Sequence, residues 1–245
     1  MTIRRSLRLG GAWTPRRLGS SLVAWWDAER SDLITQSGGL VSAWRDVIGG
    51  YSMAQSSASL KPVYSSTSFN GRPGLTFDGI DDLLAQNGYP ASWPSGSDPS
   101  WLWGVVDQQR SNAVPGTGTI HQYGSSSTTA NTRRSSRFVI SGENRGGAGV
   151  GVSGTSDQHN ANVVFLGRHV LCSKITGTTL QASVDGVAGA LSAATVNTTA
   201  AERTAIGGAS NGGNFWLGVI NTVLLTLPLS AADEASLTAH LMRRV

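Results

Sequence analysis

Ser68-Phe69-Asn70-Gly71-Arg72-Pro73-Gly74-Leu75-Thr76-Phe77-Asp78-Gly79-Ile80-Asp81-Asp82-Leu83-Leu84 is the stretch that decides how this chain folds. Asn-Gly and Asp-Gly are the dipeptides that most readily take the positive φ of a tight turn, and here they bracket Leu75-Thr76-Phe77, a short run with strand alternation. The unit reads as turn, strand, turn, strand. Asp81 and Asp82 follow the second turn at once. Two neighbouring carboxylates suit a metal or acid/base role, but Asp beside Gly more often forms the turn by bonding its own backbone.

Composition extends this reading to the whole chain. Of 245 residues only 14% are charged and 31 are Gly, which suits short strands joined by many turns. With 39% hydrophobic residues and 8 Trp the chain can bury a core, which excludes a disordered protein. A β-sandwich of roughly 200–250 residues commonly has one core, so the expectation is one domain over 21–245 preceded by an arm over 1–20. Cys172 is the single cysteine, with no disulfide or thiolate zinc cluster open to it, and its apolar neighbours place it in a buried strand.

Charge is concentrated at the start. Arg4, Arg5, Arg8, Arg16 and Arg17 stand in the first twenty residues without an acid, leaving 14 bases against 15 acids in the rest. The pattern lacks the apolar run of an export signal, and no later segment is long and apolar enough to cross a membrane. Such an arm either neutralises phosphates or lies along a neighbouring subunit, with Trp13 and Leu18 as apolar anchors. Docking on another chain is the favoured reading, nucleic acid the disfavoured one, and packing of the arm on its own domain the bland alternative.

Chemistry is sparse along the chain. Ser21–Asp27 reads as a strand whose Trp25 and Trp26 face opposite sides, and Asp27-x-Glu29-x-x-Asp32 as a solvated turn after it. Gln86–Pro99 reads as a loop in which Tyr89 and an exposed Trp93 offer flat rings to the apolar face of a sugar, or else clamp the loop itself. Trp101–Val106 is a strand with Trp101, Trp103 and Val105 on one face. Between Arg110 and Arg137 a Gly/Ser/Thr/Asn-rich stretch carrying His121 and Tyr123 reads as a long loop contacting something outside the domain, with His121 solvated. Gly146–Gly151 reads as a tight connection, because neither a P-loop nor a dinucleotide-binding context follows. Phe215–Thr226 is the longest strand, and Ser230 caps a short terminal helix whose Leu237 and Leu241 pack on the sheet, with Arg243 and Arg244 at its C-terminal dipole. There is no nucleophile elbow, no catalytic carboxylate triplet and no metal cluster of His or Cys.

Phe77-Asp78-Gly79-Ile80-Asp81-Asp82-Leu83-Leu84 after Asn70-Gly71-Arg72-Pro73 resembles the signature of laminin-G-like domains of the concanavalin A-like jelly-roll superfamily, as found in bacteriophage virion genes. Leu22–Ala28 and Val41–Asp46 resemble its opening strands. Leu180–Gly186, Ile206-Gly207-Gly208, Phe215–Ile220 and Leu229–Glu234 follow its closing order. The resemblance implies a two-sheet antiparallel sandwich with one terminal helix, working as a non-enzymatic virion surface protein that displays a lectin-like domain to host glycan. It implies partners among other virion proteins through Arg4, Arg5, Arg8, Trp13, Arg16 and Arg17, a homo-oligomeric or multicopy state, and a location on the virion. The expected glycan contacts are Tyr89, Trp93, His121 and Tyr123. No cofactor is expected, and calcium at Asp78, Asp81 and Asp82 is the weaker metal reading. A purely structural decoration protein is one alternative and a glycan hydrolase a second.

Overall fold

The computed structural model describes residues 13–109, 116–125, 133–140, 144–150, 158–159, 166–193, 195–198 and 201–245. In chain order the strands are β1 (Leu22–Asp27), β2 (Ile34–Ser37), β3 (Leu40–Arg45), β4 (Ser52–Ala54), β5 (Val63–Phe69), β6 (Arg72–Asp78), β7 (Leu84–Asn87), β8 (Ser100–Gln108) and β9 (Gly116–Gly124). They continue with β10 (Arg133–Ile140), β11 (Asn144–Val150), β12 (Gln158–His159), β13 (Gly167–Ile175), β14 (Thr179–Val184), β15 (Val187–Ala188), β16 (Ser192–Ala193), β17 (Arg203–Ile206) and β18 (Leu217–Thr226). A 3₁₀ segment, Pro15–Ser21, precedes β1, and one helix, α1 (Ala231–Met242), follows β18.

The turns that open the sequence reading do what their residues dictate. Asn70 and Gly71 both take positive φ, 52° and 76°, and close the β5–β6 hairpin; Asp185 and Gly186, at 52° and 82°, close β14 onto β15. All pairings are antiparallel. β18 is central: its first half pairs with β6 from Leu217↔Asp78 to Ile220↔Leu75, its second half pairs with β1, and its other edge carries β8. β8 leads on to β13 and β14, completing one sheet. The second sheet runs β2–β3–β4–β7–β17–β9–β10–β11–β12, and a single Leu40↔Val63 pairing ties β3 to β5 of the first.

Alternation on these strands makes two apolar layers. Between the sheets lie Trp26, Leu102, Val106, Leu171 and Val223 from the first and Val41, Trp44, Met53, Leu84, Ile120 and Ile206 from the second. On the outer face of the first sheet, Trp25, Trp103, Val105, Cys172 and Leu224 pack under Leu237 and Leu241 of α1 and Leu18 of the 3₁₀ segment. The chain is therefore an all-β sandwich with one terminal helix. Among the described residues no helix is long and apolar enough to cross a membrane.

Three local expectations are corrected. The stretch read as one long loop holds two paired strands, β9 and β10, and the Gly146–Gly151 region contributes β11. Small and polar residues hid these strands, because their alternation carries little hydrophobic contrast. Arg244 does not stay at the helix end: it is buried, and its Nη1 and Nη2 donate to Asp27 Oδ1 and Oδ2 at 2.7 and 3.0 Å. Asp27 is accordingly no solvated turn residue but one half of a buried ion pair that also engages Asn221 and Thr222.

Candidate functional site

Tyr89, Trp93, His121 and Tyr123 come from two distant stretches, and the fold brings all four together. Tyr89 stacks on Trp93 with ring centroids 5.9 Å apart, Trp93 stands edge-on to Tyr123 at 5.4 Å and to His121 at 6.1 Å, and Trp26 reaches His121 at 5.5 Å. The cluster is interior. Trp93 is 4% exposed and His121 and Tyr123 are fully buried, which corrects the exposed ring and the solvated histidine of the sequence reading. The reason is the β9 strand: its alternation sends His121 and Tyr123 inward beside Ile206 and Thr204 of β17.

Burial sets the chemistry of this cluster. Neither ring nitrogen of His121 has a hydrogen-bond partner among the described residues, and desolvation pushes its pKa down to about 3. Tyr123 is pushed up to about 12 for the same reason. Arg134, also buried, fixes the aromatic loop: Nε donates to Thr198 Oγ1 at 3.0 Å, Nη1 to Ser100 Oγ at 2.8 Å and Nη2 to Gly96 O at 3.1 Å. Sequence gave no sign of this role, since it needs three separate segments to meet.

The Asp78–Asp82 turn is different. One carboxylate oxygen from each of Asp78, Asp81 and Asp82 lies within 4.8 Å of the others. Asp78 Oδ1 accepts from the N–H groups of Ile80, Asp81 and Asp82, the self-bonding expected of Asp-Gly, while Asp82 Oδ2 accepts from Asp78 N at 3.0 Å. Asp82 is buried, and desolvation, seconded by the neighbouring carboxylates, raises its pKa to about 6. Three carboxylates supply part of the six or more oxygens a calcium ion takes, and carbonyls and water would have to supply the rest. Their unequal environments also suit acid/base work.

Beyond this turn the chain enters β7, and β7 floors a groove of about 260 Å³ on the outer face of the second sheet. Ala54, Gln55, Ser56, Ala85, Gln86, Asn87 and Arg203 line it. Cross-strand register puts Ala43, Ala54, Ala85 and Ala205 in one row over β3, β4, β7 and β17; Ala54 and Ala85 lie in the groove, where a ligand can approach the backbone closely, and Ala205 is buried. Gln55 joins groove and turn, its Nε2 donating to the carbonyl of Leu83, the residue after Asp82, at 3.0 Å. No sequence motif marks this groove, because its residues become neighbours only through strand pairing.

Of the arm, Arg4, Arg5 and Arg8 lie outside the described residues. Trp13 packs on His240 at 5.4 Å, and Arg16 donates to Val47 O at 3.2 Å.

No protein-family model matches the chain, and no curated protein matches its sequence. Solved structures do match its fold. An arabinofuranosidase complexed with arabinofuranosyl-α-1,2-xylobiose aligns with TM-score 0.59 and 12% identity over 92% of this chain and 59% of that one. Domain 4 of AbnA, an extracellular GH43 arabinanase from Geobacillus stearothermophilus, in complex with arabinotriose, aligns with TM-score 0.53 and 14% identity over 89% of this chain and 98% of that domain. Trypanosoma rangeli sialidase in complex with sialic acid aligns with TM-score 0.62 and 13% identity over 91% of this chain and 33% of that one. At such identities the likeness establishes the fold, a β-sandwich of the kind that occurs in carbohydrate-active proteins. This chain spans about three-fifths of the arabinofuranosidase and a third of the sialidase.

These neighbours overturn two expectations. The non-enzymatic virion surface protein does not stand, because the solved structures named above are glycosidases and a domain of one, and none of them is a virion protein or a laminin-G domain. The reading of the chain as not an enzyme falls with it, and the glycan hydrolase alternative is the better supported. The phage resemblance rested on turn and strand signatures, which specify a sandwich and carry no function.

Proposed function

We propose that this chain is a β-sandwich glycoside hydrolase domain that seats a saccharide on the β4–β7–β17 groove and cleaves it with the carboxylates of the Asp78–Asp82 turn. The observation that carries the reading is the alignment of nine-tenths of the chain with glycosidases and with nearly all of an arabinotriose-bound arabinanase domain. The turn supplies what hydrolysis needs. Retaining glycosidases place two carboxyl groups about 5 Å apart, one protonated and one ionised. Asp82, with its pKa raised to about 6, holds a proton at mildly acid pH, and Asp81 stands beside it.

In this scheme Asp81 bonds to the anomeric carbon as the glycosidic C–O bond breaks, and the leaving oxygen takes the proton of Asp82. Water then displaces the sugar from Asp81 and returns a proton to Asp82. The groove amides of Gln55, Gln86 and Asn87 offer paired donors and acceptors for vicinal hydroxyls.

The test is release of 4-nitrophenol from 4-nitrophenyl α-L-arabinofuranoside and from a panel of other aryl glycosides. Turnover by the full chain and a loss of about 10²–10⁴-fold in Asp82→Asn, with the fold intact by circular dichroism, is the expected result. Equal turnover by Asp82→Asn removes the turn from the mechanism. No turnover on any glycoside and no saccharide binding overturns the reading.

A further inference from the structure

We propose that the groove on β4, β7 and β17 selects a carboxylate-bearing sugar, a uronate unit of an acidic polysaccharide. This rests on the hydrolase reading above and specifies its substrate class.

The side chain of Arg203 lines the groove, and its Nη1 donates to Ser210 O at 2.8 Å. No carboxylate among the described residues pairs with this guanidinium, and the groove lining contains no acid at all. Nε and Nη2 have no hydrogen-bond partner among the described residues, and we take them as the groups that meet the ligand. A guanidinium presents parallel N–H groups at the spacing of a carboxylate's oxygens, and such a forked pair is about twice as strong as a neutral hydrogen bond.

Arg203 pairs across β9 with Gly124, which pairs in turn with Arg133 of β10, but Arg133 is buried and does not face the groove. At the far side of the alanine row, Arg45 pairs with Ser52 two residues along from Ala43 and projects to the same face. Arginine thus stands at both ends of a small-residue floor, and a polyanionic chain lying across the strands meets a guanidinium at each end. Gln55, Gln86 and Asn87 lie between and beside them, where sugar hydroxyls would fall. An arginine with no carboxylate partner among the described residues gives an anionic sugar an advantage over a neutral one, because only the anion supplies the opposite charge.

The experiment is calorimetric titration of the full chain with trigalacturonate and with arabinotriose, at about 50 and 500 mM NaCl, beside Arg203→Gln, Asn87→Ala and Arg168→Gln. Arg168 is an exposed arginine on β13 of the other sheet and serves as a charge control. We expect trigalacturonate to bind about tenfold or more tighter than arabinotriose at low salt, with the advantage shrinking as salt rises. Arg203→Gln should erase the preference, Asn87→Ala should weaken both sugars together, and Arg168→Gln should change nothing. Arabinotriose bound or cleaved as well as the uronate, or a preference unchanged in Arg203→Gln, overturns the inference and leaves the hydrolase reading standing. Neither sugar bound and no glycoside cleaved overturns both.

Discussion

His121 makes acid sensitivity a property of the core. Its imidazole is fully buried among Trp26, Trp93 and Tyr123, and burial lowers its pKa from 6.5 to about 3. A lowered folded-state pKa means that the unfolded chain binds more protons between pH 6.5 and 3, so stability falls as pH drops through that window. At pH 5 the unfolded state gains about 2 kcal/mol from this one group, at 1.36 kcal/mol per pKa unit, rising to about 5 kcal/mol below pH 3. Asp82 works the other way: its pKa is raised to about 6, so the folded state holds the extra proton and gains about 1.4 kcal/mol at pH 5. The raw pH profile mixes the two, and a difference between proteins separates them. Urea unfolding of the wild type and of His121→Leu, measured from pH 7 to pH 4, should give curves that diverge by about 2 kcal/mol at pH 5 and about 3 kcal/mol at pH 4, with the variant the more acid-resistant. Curves that stay parallel over that range would show that His121 is solvated or already charged in the folded protein, and the argument from burial would fail.

Three other outcomes follow from buried polar groups. Arg244→Ala strands the Asp27 carboxylate in the core and should cost about 3–5 kcal/mol in chemical denaturation, whereas Arg243→Ala at the exposed neighbour should cost under about 1 kcal/mol. Asp46 is buried and accepts from four backbone N–H groups, those of Trp25, Ile48, Gly49 and Tyr51, so Asp46→Ala should lower stability by about 3 kcal/mol or more and Asp46→Asn by less. Cys172 is buried with its thiol pKa raised by desolvation; a disulfide reagent at pH 8 should leave it unmodified in the native protein and modify it fully in about 6 M guanidinium, and rapid native-state labelling would refute its place under α1.

What the sequence disclosed was what local chemistry dictates. Asn70-Gly71 and Asp185-Gly186 need positive φ and obtained it, Ser230 caps α1 by accepting from Asp233 N, and Trp25 and Trp26 part to opposite faces because a strand alternates. Gly207 belongs here too: its φ is 85°, and a Cβ there would run into the Phe77 ring, so the Ile206-Gly207-Gly208 stretch is bound to the Phe77-Asp78-Gly79 stretch by packing. What stayed hidden was long-range. β9 and β10 carry Ser, Thr, Gly and Arg at buried positions, where a hydrophobic pattern expects Val or Ile. Arg134 lies inside only because Gly96, Ser100 and Thr198 arrive from elsewhere to accept its protons. Tyr89, Trp93, His121 and Tyr123, read from the sequence as glycan contacts, meet inside the protein: a ring that can stack on a sugar stacks equally well on another ring, and only burial separates the two.

The two outer faces of the sandwich are covered differently. Over the first sheet Trp25, Trp101 and Trp103 form an apolar surface too large to leave in water, and Leu237, Leu241 and Leu18 cover it. Over β3, β4, β7 and β17 the corresponding positions are Ala43, Ala54, Ala85 and Ala205, with Asn87 and Arg203 one pair along. Alanine contributes little burial to a sheet face and offers no side chain to pack under a helix, so stability gives no reason for that row. The proposed saccharide seat would give one: Ala54 and Ala85 lie open in the groove, polar side chains ring them, and Gln55 joins them to the turn of three carboxylates, while Ala205 at the end of the row is buried.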